Sequence, residues 1–211
     1  MKQITKIVLT GGPCAGKTTA LKFLRENLMN IGYGAVIVPE SSTELFSNGI
    51  SPSKMNSLFD FHQTQLELQI SKEQLFEEAC EKFKNFDHIV LLCDRGIVDA
   101  KVYLGDDGFA KLLKANNLTE QKVLNRYDAV FKLVTAANGA TDYYTLENNK
   151  VRKETPEEAI ILDEKITDVW SKHPHFEIID NSTDFNQKMN RLLTNILTFL
   201  ENKENNKTPT L

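Results

Sequence analysis

Gly11-Gly12-Pro13-Cys14-Ala15-Gly16-Lys17-Thr18 has the spacing G-x-x-x-x-G-K-[ST]. Glycines let the backbone curl so that successive N–H groups converge on phosphate oxygens, and a helix opening at the end of the loop aims its positive end at the same anion. Lys17 is placed to neutralise β/γ-phosphate charge and Thr18 to offer a hydroxyl to Mg²⁺. Gly11, Gly12, Pro13, Cys14, Ala15, Gly16, Lys17, Thr18 and Thr19 are therefore candidate contacts to a nucleoside triphosphate, ATP or GTP. A glycine turn with an incidental lysine is the bland alternative, and the flanks, an apolar run before and a helical stripe after, argue against it.

Four further residues, Glu40, Asp94, Arg95 and Arg152, could complete a phosphoryl-transfer site. Asp94 ends the apolar run His88–Cys93, which delivers it to the carboxyl edge of a parallel sheet, where such sheets bind ligands; it is a candidate Mg²⁺ ligand or a helix cap. Arg95 and Gly96 follow it, where a motor ATPase usually has a glutamate to activate water. No N-K-x-D occurs, so a Ras-like guanine reader is also disfavoured. Glu40, after Val38-Pro39, either orients or deprotonates an acceptor hydroxyl or simply opens the next helix. Arg152, in the basic run Asn148–Glu154, could close over the phosphates on a lid or sit in a solvated loop. Asn181 is a candidate contact to the nucleotide base or part of a helix cap, and His62, Gln63, Gln65 and Gln69 are weaker candidates for the acceptor side.

Strands and helices must alternate to position these residues. Apolar runs at Lys6–Thr10, Ala35–Val38, His88–Cys93, Ala129–Val134 and Phe176–Ile179 read as five strands covered on both faces. Leu21, Leu24, Leu28 and Ile31 mark a helix after the loop, and Ser53 to about Lys84, free of Gly and Pro, reads as one long helix. Thr155-Pro156-Glu157-Glu158 combines a capping box with proline at the first helical position. Phe185, Met189, Leu192, Leu193, Ile196 and Leu200 form the stripe of a last helix. The expected architecture is α/β: a five-stranded parallel sheet flanked by helices in one domain over 1–200, followed by a polar tail at 201–211.

The 211 residues are 41% hydrophobic, enough for one sizeable core, and the 25 basic and 29 acidic residues leave a net charge of −4. That balance gives no electrostatic reason to expect a nucleic-acid partner. No run approaches membrane-span length, and three cysteines without metal-ligand spacing suit a reducing, cytoplasmic setting.

The chain resembles the P-loop domain shared by NadR-type ribosylnicotinamide kinases and TRPL-translocation-defect proteins, often grouped as an AAA-type domain, and looks closer to the latter branch. The resemblance runs through Val8–Thr19, Pro39-Glu40-Ser41, Asp94-Arg95-Gly96 with Asp99, Arg126–Val130, Leu133–Ala140 and Tyr144-Thr145. It continues through Asn149–Glu154, Leu162-Asp163, Trp170, His173-Pro174 and Ile179-Asp180-Asn181. It implies a core like that of nucleoside and nucleotide kinases, with Arg152 in a lid. The kinase branch phosphorylates a ribosyl hydroxyl; the other is similar to a GTP- and phosphoinositide-binding trafficking factor whose animal form carries a C-terminal triphosphate-tunnel-like domain, which this sequence is not expected to provide. Two functions follow: a Mg²⁺-dependent kinase acting on a small hydroxyl acceptor, or a nucleotide-dependent module for a protein or phosphoinositide partner.

Both require the same phosphate site. Lys17→Ala should abolish the rise in melting temperature that ATP and magnesium give the wild-type chain; an undiminished rise in a thermal-shift assay would remove the premise of both.

Overall fold

A computed structural model of the protein describes residues 2–140 and 155–205. Five strands, β1 (Gln3–Thr10), β2 (Gly34–Val38), β3 (His88–Asp94), β4 (Ala129–Leu133) and β5 (Phe176–Ile179), form one parallel sheet in the order β2-β3-β1-β4-β5. All five coincide with the apolar runs of the sequence, shifted by a few residues at their ends.

Strand residues alternate between two covered faces. Ile7, Leu9, Val90, Leu92, Phe131 and Leu133 pack under α1 (Lys17–Asn30) and α7 (Phe185–Asn205), with Leu21, Leu24, Leu28, Met189, Leu192 and Ile196 as the helical side of that core. Val8, Ile89, Leu91, Cys93 and Val130 pack under the other layer, which includes α3 (Leu58–Cys80), α4 (Lys101–Ala115) and α6 (Pro156–Trp170). Both layers leave the carboxyl ends of β1 and β3 side by side, Leu9 opposite Asp94, which is where the candidate residues lie.

Several helices depart from the sequence expectation. The long segment after β2 is not one helix from Ser53: a 3-10 turn at Pro52–Lys54 ends in extended backbone at Met55, and the Ser57 side chain caps Asp60 so that α3 starts only at Leu58. α2 (Ser41–Ser47) and α5 (Glu120–Leu124) are a few residues long and carry too few periods to be read as patterns, while α4 is bent at Gly105, whose φ of 66° breaks its periodicity. The expected capping box of α6 is present: Thr155 Oγ1 accepts from the Glu158 N–H and the Glu158 carboxylate accepts from the Thr155 N–H. α7 continues past Leu200 to Asn205, so the polar stretch expected as a tail begins as helix.

Trp170, fully buried at the end of α6, lies on the turn after β3. A Cβ at Gly96 would come within 2.8 Å of its ring. Gly96→Ala should therefore force the ring aside and cost about 2 kcal/mol by overpacking; urea unfolding measures it, and a loss below about 0.5 kcal/mol, the level of a neutral surface change, would contradict this packing.

Candidate functional site

The loop between β1 and α1 is held in a shape few residues tolerate. Gly11 has φ 141° and lies so close to β4 that a Cβ would fall 2.1 Å from the Leu133 carbonyl oxygen; Gly16 has φ 86°, and Cys14, not a glycine, has φ 55°. The segment after β4 braces it from outside, Thr135 Oγ1 donating to the Pro13 carbonyl at 2.5 Å and the Ala136 N–H to the Cys14 carbonyl at 3.2 Å. Lys17 Nζ donates to the Gly11 and Gly12 carbonyls at 2.8 and 2.9 Å, curled back over the loop it would leave for a phosphate. Ala15 is buried, and Thr18 and Thr19 are exposed at the start of α1.

Asp94 ends β3, as the sequence predicts. Its Oδ1 is buried and accepts no hydrogen bond. Burial, reinforced by the nearby Glu40 carboxylate, pushes its pKa up to about 6 against the opposing pull of Lys17 and Arg95. An orphaned carboxylate oxygen close to the Lys17 charge is a hard ligand lacking a partner, and a divalent cation would supply one. The residues present therefore fit Mg²⁺, with Asp94 and the Thr18 hydroxyl as the groups that would hold it.

Glu40 stands at the N-terminal boundary of α2, as one of its two readings expects, and its side chain turns to Arg95 and two hydroxyls: Oε1 accepts from Arg95 Nε at 2.6 Å and from Ser42 Oγ at 2.7 Å, Oε2 from Thr43 Oγ1 at 2.8 Å. Burial would raise this carboxyl, yet the Arg95 and Lys17 charges and the two hydroxyls hold it down at about 2. Arg95 is itself in the left-handed region at φ 68°, a strained conformation for a side-chain-bearing residue, with its N–H bonded to the Leu9 carbonyl. Burial opposes its charge; Glu40, Tyr103 and Asp99 more than restore it. Asp99 reaches Arg95 Nη1 at 3.5 Å while accepting from Thr10 Oγ1 and the Gly96 N–H, so one buried acid fixes both the arginine and the strand end beside it.

Asn181 is brought to the loop after β4. Its amide donates to the Thr135 and Asn138 carbonyls and its oxygen accepts from Lys188, a lysine that burial pulls down to about 8. The cap of α7 is Asp184, whose Oδ1 accepts from the Gln187 N–H. Arg152, with the rest of the basic run 148–154, lies outside the described residues. The α3 candidates separate: His62 is buried against Phe61 and Tyr103, Gln63 pairs with Asn116 and Glu67, and Gln69 is bound within the core to Ser41 and Glu73.

Sequence reasoning gave no role to Lys132 and Asp163, which form a buried pair at 2.6 Å; the other Asp163 oxygen accepts from the Gly12 N–H at 2.8 Å. This ties α6, the helix directly after the basic segment, to the phosphate loop. The signal was a lysine within a buried strand and an aspartate four residues after Ala159 on the apolar stripe of α6, two misplaced charges of opposite sign.

The sequence profile of the AAA domain matches residues 6–188. The chain belongs to the AAA domain family. No curated protein matches it significantly. Among solved structures this AAA domain is similar to deoxyadenosine kinase from M. mycoides, described with the products dCMP and a flexible dCDP bound. The TM-score is 0.59 at 13% identity, covering 92% of this chain and 100% of that chain. That likeness speaks for the fold: a nucleoside-kinase-type P-loop sheet flanked by helices.

Asp94 gives the site a pH signature. Its folded pKa, about 6, exceeds its ordinary 3.8, so the stability it contributes is full below pH 3.8 and is lost as pH rises through 6. Asp94→Asn should therefore stabilise the ligand-free AAA domain at pH 8 by roughly 2 kcal/mol, allowing for partial exposure, with the gain vanishing near pH 4. Chemical denaturation at the two pH values measures this; equal gains at both would show that the carboxylate is not the source.

Proposed function

We propose that this AAA domain is a kinase that transfers the γ-phosphoryl group of ATP to a hydroxyl of a small acceptor such as a nucleoside. The observation that carries the reading is the Glu40–Arg95 pair at 2.6 Å, fixed on the same sheet edge as Asp94 and the phosphate loop. A carboxylate held by Arg95, Ser42 and Thr43 beside Asp94 supports a role in orienting an acceptor hydroxyl.

In this mechanism the loop N–H groups and the start of α1 bind the phosphates, and Lys17 exchanges the Gly11 and Gly12 carbonyls for phosphate oxygens. Asp94 and Thr18 hold Mg²⁺, which when bound neutralises charge on the β- and γ-phosphates. Glu40 accepts a hydrogen bond from the acceptor hydroxyl and aims its oxygen at phosphorus. At a pKa of about 2 it is a weak base, so it orients the hydroxyl and takes its proton only as the new O–P bond forms. A loose transition state suits that late transfer. Arg95 keeps Glu40 ionised and in place, and Arg152, which lies outside the described residues, is the candidate cation for the transferring group by the resemblance. The resemblance through Pro39-Glu40-Ser41 and Asp94-Arg95-Gly96 supports placing the chain with the ribosylnicotinamide-kinase and translocation-defect group, acting in the cytoplasm as one domain over 1–200.

A panel of nucleosides, including nicotinamide riboside, incubated with γ-labelled ATP and magnesium should yield at least one labelled product. Glu40→Gln should lower kcat for that acceptor by about 10²-fold or more while leaving ATP affinity within a few-fold. Intact ATP binding with no labelled acceptor anywhere in the panel would count against a kinase.

A further inference from the structure

Glu73, in the middle of α3, is completely buried and makes no direct contact with Lys17, Glu40, Asp94 or Arg95. Its Oε2 faces cations: Arg126 Nη2 at 2.9 Å, Arg126 Nε at 3.2 Å and Lys6 Nζ at 3.7 Å, Lys6 being shared with Glu77 at 2.9 Å. Its Oε1 accepts two further hydrogen bonds, from Gln69 Nε2 at 2.8 Å and from the Tyr127 hydroxyl at 2.8 Å.

Each of those two donors leads to the candidate site. Gln69 Oε1 accepts from Ser41 Oγ at 2.6 Å, and Ser41 directly follows Glu40. The Tyr127 oxygen accepts from the Ile97 N–H at 3.0 Å, and Ile97 lies two residues after Arg95. Ser41, Gln69, Glu73, Tyr127 and Ile97 are all buried. Every hydrogen in the chain points toward Glu73, so the carboxylate terminates both arms. The two segments that meet directly at the Glu40–Arg95 ion pair are thus joined a second time, from beneath, through the core.

Burying this carboxylate with its cations is a costly way to stabilise a fold, since apolar side chains of similar volume do as well or better. What apolar packing cannot do is fix two loops at a hydrogen-bond spacing. We propose that Glu73 is a positioning residue: through Gln69–Ser41 on one side and Tyr127–Ile97 on the other it sets the separation of Glu40 and Arg95, and hence the aim of the acceptor-binding carboxylate. For its consequence in catalysis the proposal rests on the kinase reading; for its structural content it does not.

The full chain tests it through two minimal cuts that leave the buried charges in place, Ser41→Ala and Tyr127→Phe, with the double variant and Glu73→Gln alongside. The first readout is hydrogen exchange of the Arg95 Nε–H, followed by NMR in uniformly ¹⁵N-labelled protein and assigned with Arg95→Lys, which needs no acceptor. Each cut should speed that exchange at least tenfold. The double variant should be no faster than the quicker single, because one chain is cut once or twice with the same result. Affinity for a non-hydrolysable ATP analogue with magnesium should stay within twofold in all four. With an acceptor from the nucleoside panel, kcat should fall about tenfold or more with KM little changed.

If the panel yields no acceptor while the Arg95 signal behaves as stated, the kinase reading fails and the positioning role stands. Unchanged Arg95 exchange in the single variants, both folded with melting temperatures near wild type, would overturn the positioning role, as would additive effects in the double. Should Tyr127→Phe unfold the protein, Ser41→Ala alone decides the matter.

Discussion

Buried carboxylates organise this molecule, because a negative charge taken out of water must be met by cations or hydrogen-bond donors. Asp99 is met by Arg95, Thr10 and a backbone N–H; Asp163 by Lys132 and the Gly12 N–H; Glu73 by Arg126, Lys6, Gln69 and Tyr127; Glu40 by Arg95 and two hydroxyls. Asp94 is the exception. Among the described residues it alone has a carboxylate oxygen that is both buried and unpartnered. The matched acids fix backbone around the phosphate loop, and the unmatched one is the Mg²⁺ ligand of the proposed mechanism.

The layered fold explains why these acids converge. Parallel strands with helices on both faces bring β1 and β3 to the same edge, and the turns leaving them carry the phosphate loop and Asp94-Arg95-Gly96. Strand positions facing the α3–α6 layer include Lys6 and Lys132 as well as Val8 and Val130, and each lysine meets an acid from a helix of that layer. Charge pairing across the sheet–helix interface thus adds register to packing that is otherwise apolar and tolerant of sliding.

What the sequence made legible was local. The phosphate loop is a contiguous motif, the strands are contiguous apolar runs, and Asp94 and Glu40 lie at strand ends, so their place at the carboxyl edge follows from the α/β class alone. The capping box that opens α6 spans four consecutive residues and was read correctly. What stayed hidden was pairing between distant positions. Lys132 meets Asp163 across 31 residues of chain and Glu73 meets Tyr127 across 54, and no period or motif records such partners. The start of α3 was misplaced because a side-chain cap at Ser57 outweighs a sequence that lacks glycine and proline on either side of it. Asn181 was legible as a residue at a strand end, but its hydrogen bonds to Thr135, Asn138 and Lys188 depend on the loop after β4, which only the fold brings near.

The central claim is that the phosphate loop, Asp94 and the Glu40–Arg95 pair form one phosphoryl-transfer site. A crystal structure with a non-hydrolysable ATP analogue and magnesium tests it most directly. Lys17 Nζ should leave the Gly11 and Gly12 carbonyls for phosphate oxygens, and a metal ion should lie about 2.1 Å from Asp94 Oδ1 or one water away. Glu40, still bonded to Arg95, should face the γ-phosphate across a space the size of a hydroxyl-bearing group. A metal ion bound without Asp94, or a γ-phosphate directed away from Glu40, would contradict the account.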